Sequence, residues 1–194
     1  TEMFYRAFGT AREAGIKNIN VDLIAGLPYD TTESFMRSVD GIIALSPENI
    51  TVHTFSVKRS SEFKVEGRFD PSSKTASESV DYSQKALSAA GYKPYYMYRQ
   101  KNTVGNHENV GYAKPGHEGL YNIYMMEEVH SIFASGAGSV TKLVSLPDGD
   151  GNVRIERLFQ PKYPYEYLDG LSNGESAKKL EELKNTSADF FAVK

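Results

Sequence analysis

The segment Asn20-Val21-Asp22-Leu23-Ile24-Ala25 sets one carboxylate among branched apolar residues. Side chains alternate across a strand, so Val21, Leu23 and Ala25 share one face while Asn20, Asp22 and Ile24 share the other. The apolar set is expected to pack beneath helices, leaving an amide and a buried carboxylate near the carboxyl end of the strand. In open α/β sheets and β/α barrels, that end is where ligands bind. A buried carboxylate needs partners, which a ligand's hydroxyl or amine donors can supply; an Arg or Lys of a neighbouring strand would serve as well. His53 falls in the middle of the next apolar run, as a core or pocket-wall residue or as a substrate contact. Ser56 lies at the carboxyl end of that run.

Two later segments also have chemical potential. Gly136-Ala137-Gly138 follows an apolar stretch, and without side chains such a run lets backbone approach a flat ligand or pack tightly on a neighbouring strand. It lacks the spacing of a dinucleotide-binding GxGxxG. The stretch Tyr92–Lys101 places four tyrosines beside Arg99 and Lys101. Aromatic faces with cations suit a large flat anion, such as a porphyrin bearing carboxylates. They also suit an ordinary twisted edge strand.

Composition removes several other chemistries. The 194 residues contain no cysteine, which rules out disulfides, a thiol nucleophile and thiolate-held metal within this chain. Of the four histidines, His53, His107, His117 and His130, no two stand at the i, i+4 spacing of a helical metal site. A net charge of −3 with scattered Lys and Arg gives no basic face for nucleic acid, and no apolar run is long enough to cross a bilayer. The first residues carry no secretory or transit signal, so a cytoplasmic location is expected.

The elements that must hold these residues follow from periodicity. Met3, Phe4, Ala7, Phe8 and Ala11 repeat at helical spacing over 2–14, ended by Gly15. Ile19 to Ala25 reads as a strand. Asp30 and Glu33 open a helix as a capping box, with Phe35, Met36, Val39, Ile42 and Ile43 inward. Ile50 to Val57 forms the next strand. This order predicts parallel βα units with right-handed connections. A polar loop over 58–73 is expected to be a functional lid or a mobile segment, and a third helix over 74–90 turns Ala76, Val80, Leu87 and Ala90 inward. Beyond it come a tyrosine-rich strand, an irregular loop over 101–120, a strand over Ser131 to Ser135, a hairpin of 140–145 with 153–159, and helices near 162–170 and 174–185.

Several of these segments together resemble one family. Asn18 to Pro28, a helix opening near Thr31 and containing Phe35, then Leu45-Ser46-Pro47 before a strand, are similar to the oxygen-independent coproporphyrinogen III oxidases (dehydrogenases), radical S-adenosylmethionine enzymes. Gly91-Tyr92 with its tyrosine-rich strand and Ser135 to Gly138 fall in the family's order. Tyr95 to Asn102 with Asn109 to Gly116 resemble its firmicute branch. The likeness extends over roughly residues 2–170.

The resemblance implies an α/β fold, the carboxyl-terminal part of a partial β/α barrel of radical-SAM type, with an added β-hairpin and C-terminal helices. The corresponding divisions are the last barrel units over 1–60, a lid loop, helix and sheet extension over 61–145, and a hairpin with helices over 146–194. It implies S-adenosylmethionine and a [4Fe–4S] cluster as cofactors, the cluster being held by a CxxxCxxC loop outside this chain. In the family a 5′-deoxyadenosyl radical takes hydrogen from a propionate, which loses carbon dioxide to become a vinyl group. Asp22 then matches a polar contact to S-adenosylmethionine, Ser56 a small residue lining the same cofactor, and Ala137, between Gly136 and Gly138, a backbone contact near the adenosyl group. His53, Arg99 and Lys101 remain the candidate substrate contacts. The expected partners are a porphyrinogen and an electron donor, with the isolated chain inactive and prone to self-association along an uncovered strand edge. A haem-binding chaperone on the same fold, or an unrelated β/α-barrel lyase using Asp22 as acid or base, stays open.

Overall fold

The computed structural model describes residues 1–56, 74–99, 103, 105 and 107–192. They form two compact units, Thr1–Met126 and Glu127–Lys194.

The first unit is built on a βαβ crossover. Helix α1 (Glu2–Glu13) leads to strand β1 (Asn20–Ala25), helix α2 (Thr32–Leu45) and strand β2 (Asn49–Thr54). β1 and β2 are parallel, with Val21 opposite Ile50 and Asp22 opposite Thr51. Helix α3 (Lys74–Ala89), strands β3 (Lys93–Tyr98) and β4 (Asn109–Ala113) and helix α4 (Leu120–Met126) complete the unit. The sheet order is β1-β2-β4-β3, and β4 runs antiparallel to both neighbours.

One face of this sheet carries the core. Val21, Ala25, Ile50, Val52 and Tyr112 meet Phe35, Val39 and Ile42 of α2 and Leu87 of α3. Full burial of each aliphatic side chain stabilises by about 1.5–3 kcal/mol, so this layer fixes which face of β1 and β2 turns inward. Ser79 and Ser83 join Ala76 on the buried side of α3, their small size allowing close packing. Ala90, expected inward, is exposed because the helix has already ended at Ala89.

Other expectations shift by small amounts. The cap of α2 is Thr31, whose Oγ1 accepts from the Ser34 N–H at 3.1 Å, while Asp30 accepts from the Thr31 N–H. The box therefore opens one residue later than read, since a hydroxyl at Thr31 already reaches the third amide. The stripe on α1 is mostly open: Phe8 alone is buried, and Met3 and Ala7 are exposed. Its first turn stands beside the free edge of β1, where Phe4 and Tyr5 line a groove with Val21, Leu23 and Ile42.

The larger correction lies in 101–120. The region expected as irregular loop contains β4, a central strand with Asn109, Gly111, Tyr112 and Ala113 buried. The expected lid over 58–73 lies outside the described residues.

Between α2 and β2 the chain is clamped. Glu48 accepts two hydrogen bonds from Arg12 at 2.9 and 2.8 Å and one from the Ile19 N–H at 3.0 Å. Lys114 stands 3.8 Å away and donates to the Ser46 carbonyl at 2.6 Å, while the Tyr92 hydroxyl donates to the Pro47 carbonyl at 2.6 Å. This network sits at the amino ends of β1 and β2, opposite the end where ligands are expected.

The second unit holds the hairpin of β5 (Val140–Val144) and β6 (Ile155–Phe159), as the sequence predicts, with helices α5 (Pro164–Asn173) and α6 (Glu175–Phe191). Asp148 closes the hairpin turn by accepting from the Asp150 and Asn152 amides. Arg154 lies 4.2 Å over the Phe190 ring and donates to the Phe190 carbonyl, docking the end of α6 on the hairpin. The strand expected over Ser131 to Ser135 is reduced to one bridge between Ile132 and Lys142. Side chains replace its ladder: Ser131 Oγ accepts from the Val144 N–H, and Thr141 Oγ1 accepts from the Ala134 N–H.

Candidate functional site

The face of the first sheet opposite the core carries the polar residues. Register places Asn20 and Asp22 of β1 beside Asn49 and Thr51 of β2, with His53 two residues further on. Across β4, Thr51 is level with Gly111, and Gly111 is level with Tyr96 of β3. An open cleft of about 450 Å³ lies at the carboxyl ends of β1 and β2, lined by Asp22, Ile24, His53, Ser56, Phe55 and Tyr98.

Asp22 is not buried. Its side chain is 57% exposed, against the buried carboxylate expected from the sequence. The helices cover only the other face of β1, so this face opens into the cleft. Among the described residues no Arg or Lys pairs with it, the alternative the sequence left open beside a ligand contact. Asp22 Oδ2 instead stands 3.6 Å from Nε2 of His53, and Oδ1 accepts from the Asn20 side-chain amide at 2.7 Å. The His53 ring holds the Asp22 carboxyl below the usual carboxylate range; partial burial opposes this, and Asn20 and Thr51 reinforce it. Asp22 is thus an anion at neutral pH.

The tyrosines of β3 reach this pair from the far side of β4. The Tyr98 hydroxyl is 3.3 Å from His53 Nδ1, with the two rings edge to face. The Tyr96 hydroxyl is 3.3 Å from Thr51 Oγ1, and the Tyr96 and Tyr98 rings stack 6.3 Å apart. Burial pushes both phenols up, and the charge of Asp22 adds to the rise for Tyr98.

The structure therefore brings Asp22, His53 and Ser56 together around one cleft. Arg99 is exposed and pairs with Glu108 at 3.2 Å, outside the cleft lining. Its neighbours in sequence alternate sides, and Tyr98 takes the inward place. Lys101 lies outside the described residues. Gly136, Ala137 and Gly138 belong to the second unit, where they form a turn. Both glycines have positive φ, and Gly138 donates to the Pro161 carbonyl. The buried strand expected before them is not formed. Sequence reading missed Tyr96, Tyr98 and Thr51 as partners of the site, because only β4 between β2 and β3 sets their spacing. The alternation of Tyr96 and Tyr98 with Met97 was the available signal. Among the described residues no group of three or more His, Asp or Glu side chains could hold a metal ion.

The polar face and the cleft at the strand ends are carried by the βαβ frame of an α/β fold. In fold, the chain matches the solved coproporphyrinogen III oxidase HemN from Escherichia coli, a radical SAM enzyme. The TM-score is 0.58 at 17% identity, over 89% of this chain and 38% of that one. The chain is 40% identical over 182 residues to HemZ of Bacillus subtilis, an oxygen-independent coproporphyrinogen-III oxidase-like protein. This chain is therefore similar, over part of their length, to the oxygen-independent coproporphyrinogen III oxidase-like proteins. The HemZ match covers 89% of this chain and 34% of HemZ, so the chain spans about a third of the length of that relative. The heme chaperone HemW of Haemophilus influenzae is 27% identical over 84% of this chain and 38% of its own length. An oxygen-independent coproporphyrinogen III oxidase of Pseudomonas aeruginosa is 36% identical over 43% of this chain and 19% of its own. No family model matches the sequence. No helix among the described residues is long and apolar enough to cross a membrane.

Proposed function

We propose that the chain supplies the Asp22 edge of an S-adenosylmethionine site in a radical enzyme that converts coproporphyrinogen III propionates to vinyl groups. The observation that carries this reading is a half-exposed carboxylate in the middle of β1, held on one side by Asn20 and His53 and open on the other to a cleft at the strand ends. The donor set fits. Asp22 offers acceptors to ribose hydroxyls or an ammonium group, while Ile24, Phe55 and Tyr98 offer apolar and aromatic walls to a purine. With an iron–sulfur cluster, S-adenosylmethionine supplies the one-electron chemistry that removes a hydrogen atom from substrate. This chain has no cysteine to hold that cluster, so its own part is to bind and orient. Asp22 holds the cofactor and performs no proton transfer. Ser56 lines the cleft beside it, and His53 presents a ring edge to the same space.

In the full-length, cluster-loaded protein, Asp22→Ala is expected to weaken S-adenosylmethionine binding by about 1–3 kcal/mol, the usual effect of losing a polar partner. Calorimetry showing unchanged affinity would retire the assignment. The match to a heme chaperone over 84% of this chain supports a second reading, haem binding without decarboxylation. Anaerobic turnover of coproporphyrinogen III decides between them: vinyl product supports the oxidase, and tight haem binding without product supports the chaperone.

A further inference from the structure

We infer that Tyr96 and Tyr98 are positioning residues that hold the two oxygens of Asp22 through two separate polar arms across the sheet, the first ending in an ion-pair contact and the second hydrogen-bonded throughout. The first arm runs from Tyr98 to His53 Nδ1 at 3.3 Å, and from His53 Nε2 to Asp22 Oδ2 at 3.6 Å. An ionised carboxylate accepts only, so a neutral His53 facing it carries its proton on Nε2. Nδ1 is then the acceptor, and the Tyr98 hydroxyl donates to it. The second arm is directional by the same logic. With the Thr51 proton on Asn20 Oδ1 at 3.2 Å, the Thr51 oxygen accepts from the Tyr96 hydroxyl at 3.3 Å. The Asn20 amide nitrogen then donates to Asp22 Oδ1 at 2.7 Å. Every proton in both arms points toward the carboxylate.

Two features make this an arrangement rather than an accident of neighbouring groups. Tyr96 and Tyr98 stack with their rings 3° from parallel, so each fixes the other's rotamer. Tyr96 spans β4 only because Gly111 lies beneath it: a Cβ there would come within 1.9 Å of the ring. A side chain at that position would close the path from β3 to Thr51. The edge strand thus sets the orientation of a carboxylate on the opposite edge. Chains of hydrogen bonds also strengthen one another, which favours the ionised form of Asp22.

The inference rests on the cofactor assignment only for its final readout. In this chain, ¹⁵N spectra of the His53 ring are expected to show the Nε2–H tautomer for the neutral form. Tyr98→Phe keeps the ring and removes the hydroxyl. It is expected to release that tautomer preference and to move the carboxyl titration of Asp22, followed by ¹³C NMR, to higher pH. Tyr96→Phe is expected to move the Asp22 titration in the same direction while leaving the His53 tautomer in place. Packing alone predicts no change in either spectrum, because phenylalanine retains both rings; unchanged Asp22 titration in both variants overturns the inference. Should Tyr98→Phe fail to fold, a dominant Nδ1–H tautomer in the unsubstituted chain overturns the first arm, and Tyr96→Phe tests the second. In the full-length, cluster-loaded protein each variant is expected to raise the S-adenosylmethionine dissociation constant about fivefold. If Asp22→Ala leaves that affinity unchanged while the NMR shifts appear, the cofactor reading fails and the positioning role stands.

Discussion

Replacing Gly111 with alanine is expected to destabilise the first unit by about 3 kcal/mol, a large effect for one added methyl group. The added Cβ would lie 1.9 Å from Tyr96 Cε1 and 2.4 Å from Cδ1, far inside contact distance. Relief requires the Tyr96 ring to leave the sheet face, since β4 is fixed between two strands. That movement breaks the stacking on Tyr98 and the contact with Thr51, and it uncovers the backbone of a central strand. Overpacking of this kind costs about 1–3 kcal/mol, and here the lost hydrogen bond adds to it. Urea denaturation reads the change directly. A double-mutant cycle with Tyr96→Ala isolates the cause, because removing the ring leaves room for the methyl group. The two effects should then fall well short of additive. A loss below about 0.5 kcal/mol for Gly111→Ala would show that the ring can move freely.

The second large effect belongs to Glu48. Its side chain is 12% exposed and receives Arg12 in both oxygens, the Ile19 amide and the charge of Lys114. Burial pushes this carboxyl up, but the Ile19 amide and Arg12, with Lys114, more than reverse it and hold the carboxyl below the usual range. Glu48→Ala would leave Arg12 and an amide without their acceptor. Breaking a buried pair from one side costs about 3–5 kcal/mol, and partial access of Arg12 and Lys114 to water lowers that here to about 2 kcal/mol. The sign of the pH dependence follows. A carboxyl held low in the folded state contributes stability that is complete above its unfolded value, 4.5, and is lost as pH falls through the folded value. The stability difference between the parent chain and Glu48→Gln should therefore shrink on acidification below that range. A difference independent of pH would remove the charge from the explanation.

These two positions differ in how far the sequence discloses them. The βαβ frame was legible because Val21, Leu23 and Ala25 alternate while Phe35, Val39 and Ile42 repeat at helical spacing; burial of both sets follows. The face of Asp22 was legible for the same reason. Its exposure was not, since alternation tells which side a residue takes and not whether anything covers that side. β4 was hidden because its inward residues on the site face include Gly111 and Asn109, which carry no strand signal. Gly111 is there for the Tyr96 ring, and Asn109 for its side-chain oxygen, which accepts from the Thr54 N–H at 2.7 Å. Both reasons depend on partners distant in the chain. The tyrosine-rich strand was recognised, but its relation to His53 required the strand order. The opposite error arose at Ser131 to Ser135, where an apolar run reads as a strand while Ser131 and Thr141 side chains supply the hydrogen bonds instead.

The insertion of β4 between β2 and β3 has a consequence for how the chain reaches its native state. β1, α2 and β2 form one piece from contacts near in sequence, and β3 with β4 forms another. The carboxylate and the imidazole belong to the first piece, both phenols to the second. Local pairing closes faster than distant pairing, so the two pieces form before the β2–β4 seam does. The seam is thus the last step of assembly, and the two arms on Asp22 exist only after it. In refolding experiments, amide protection in β1 should precede the shift of the Asp22 carboxyl signal. Simultaneous appearance would mean that the unit condenses in one step. Competence of the cleft is then a property acquired at the end of folding, and a chain halted one step earlier carries an aspartate touched by Asn20 and His53 but without the two phenols that orient them.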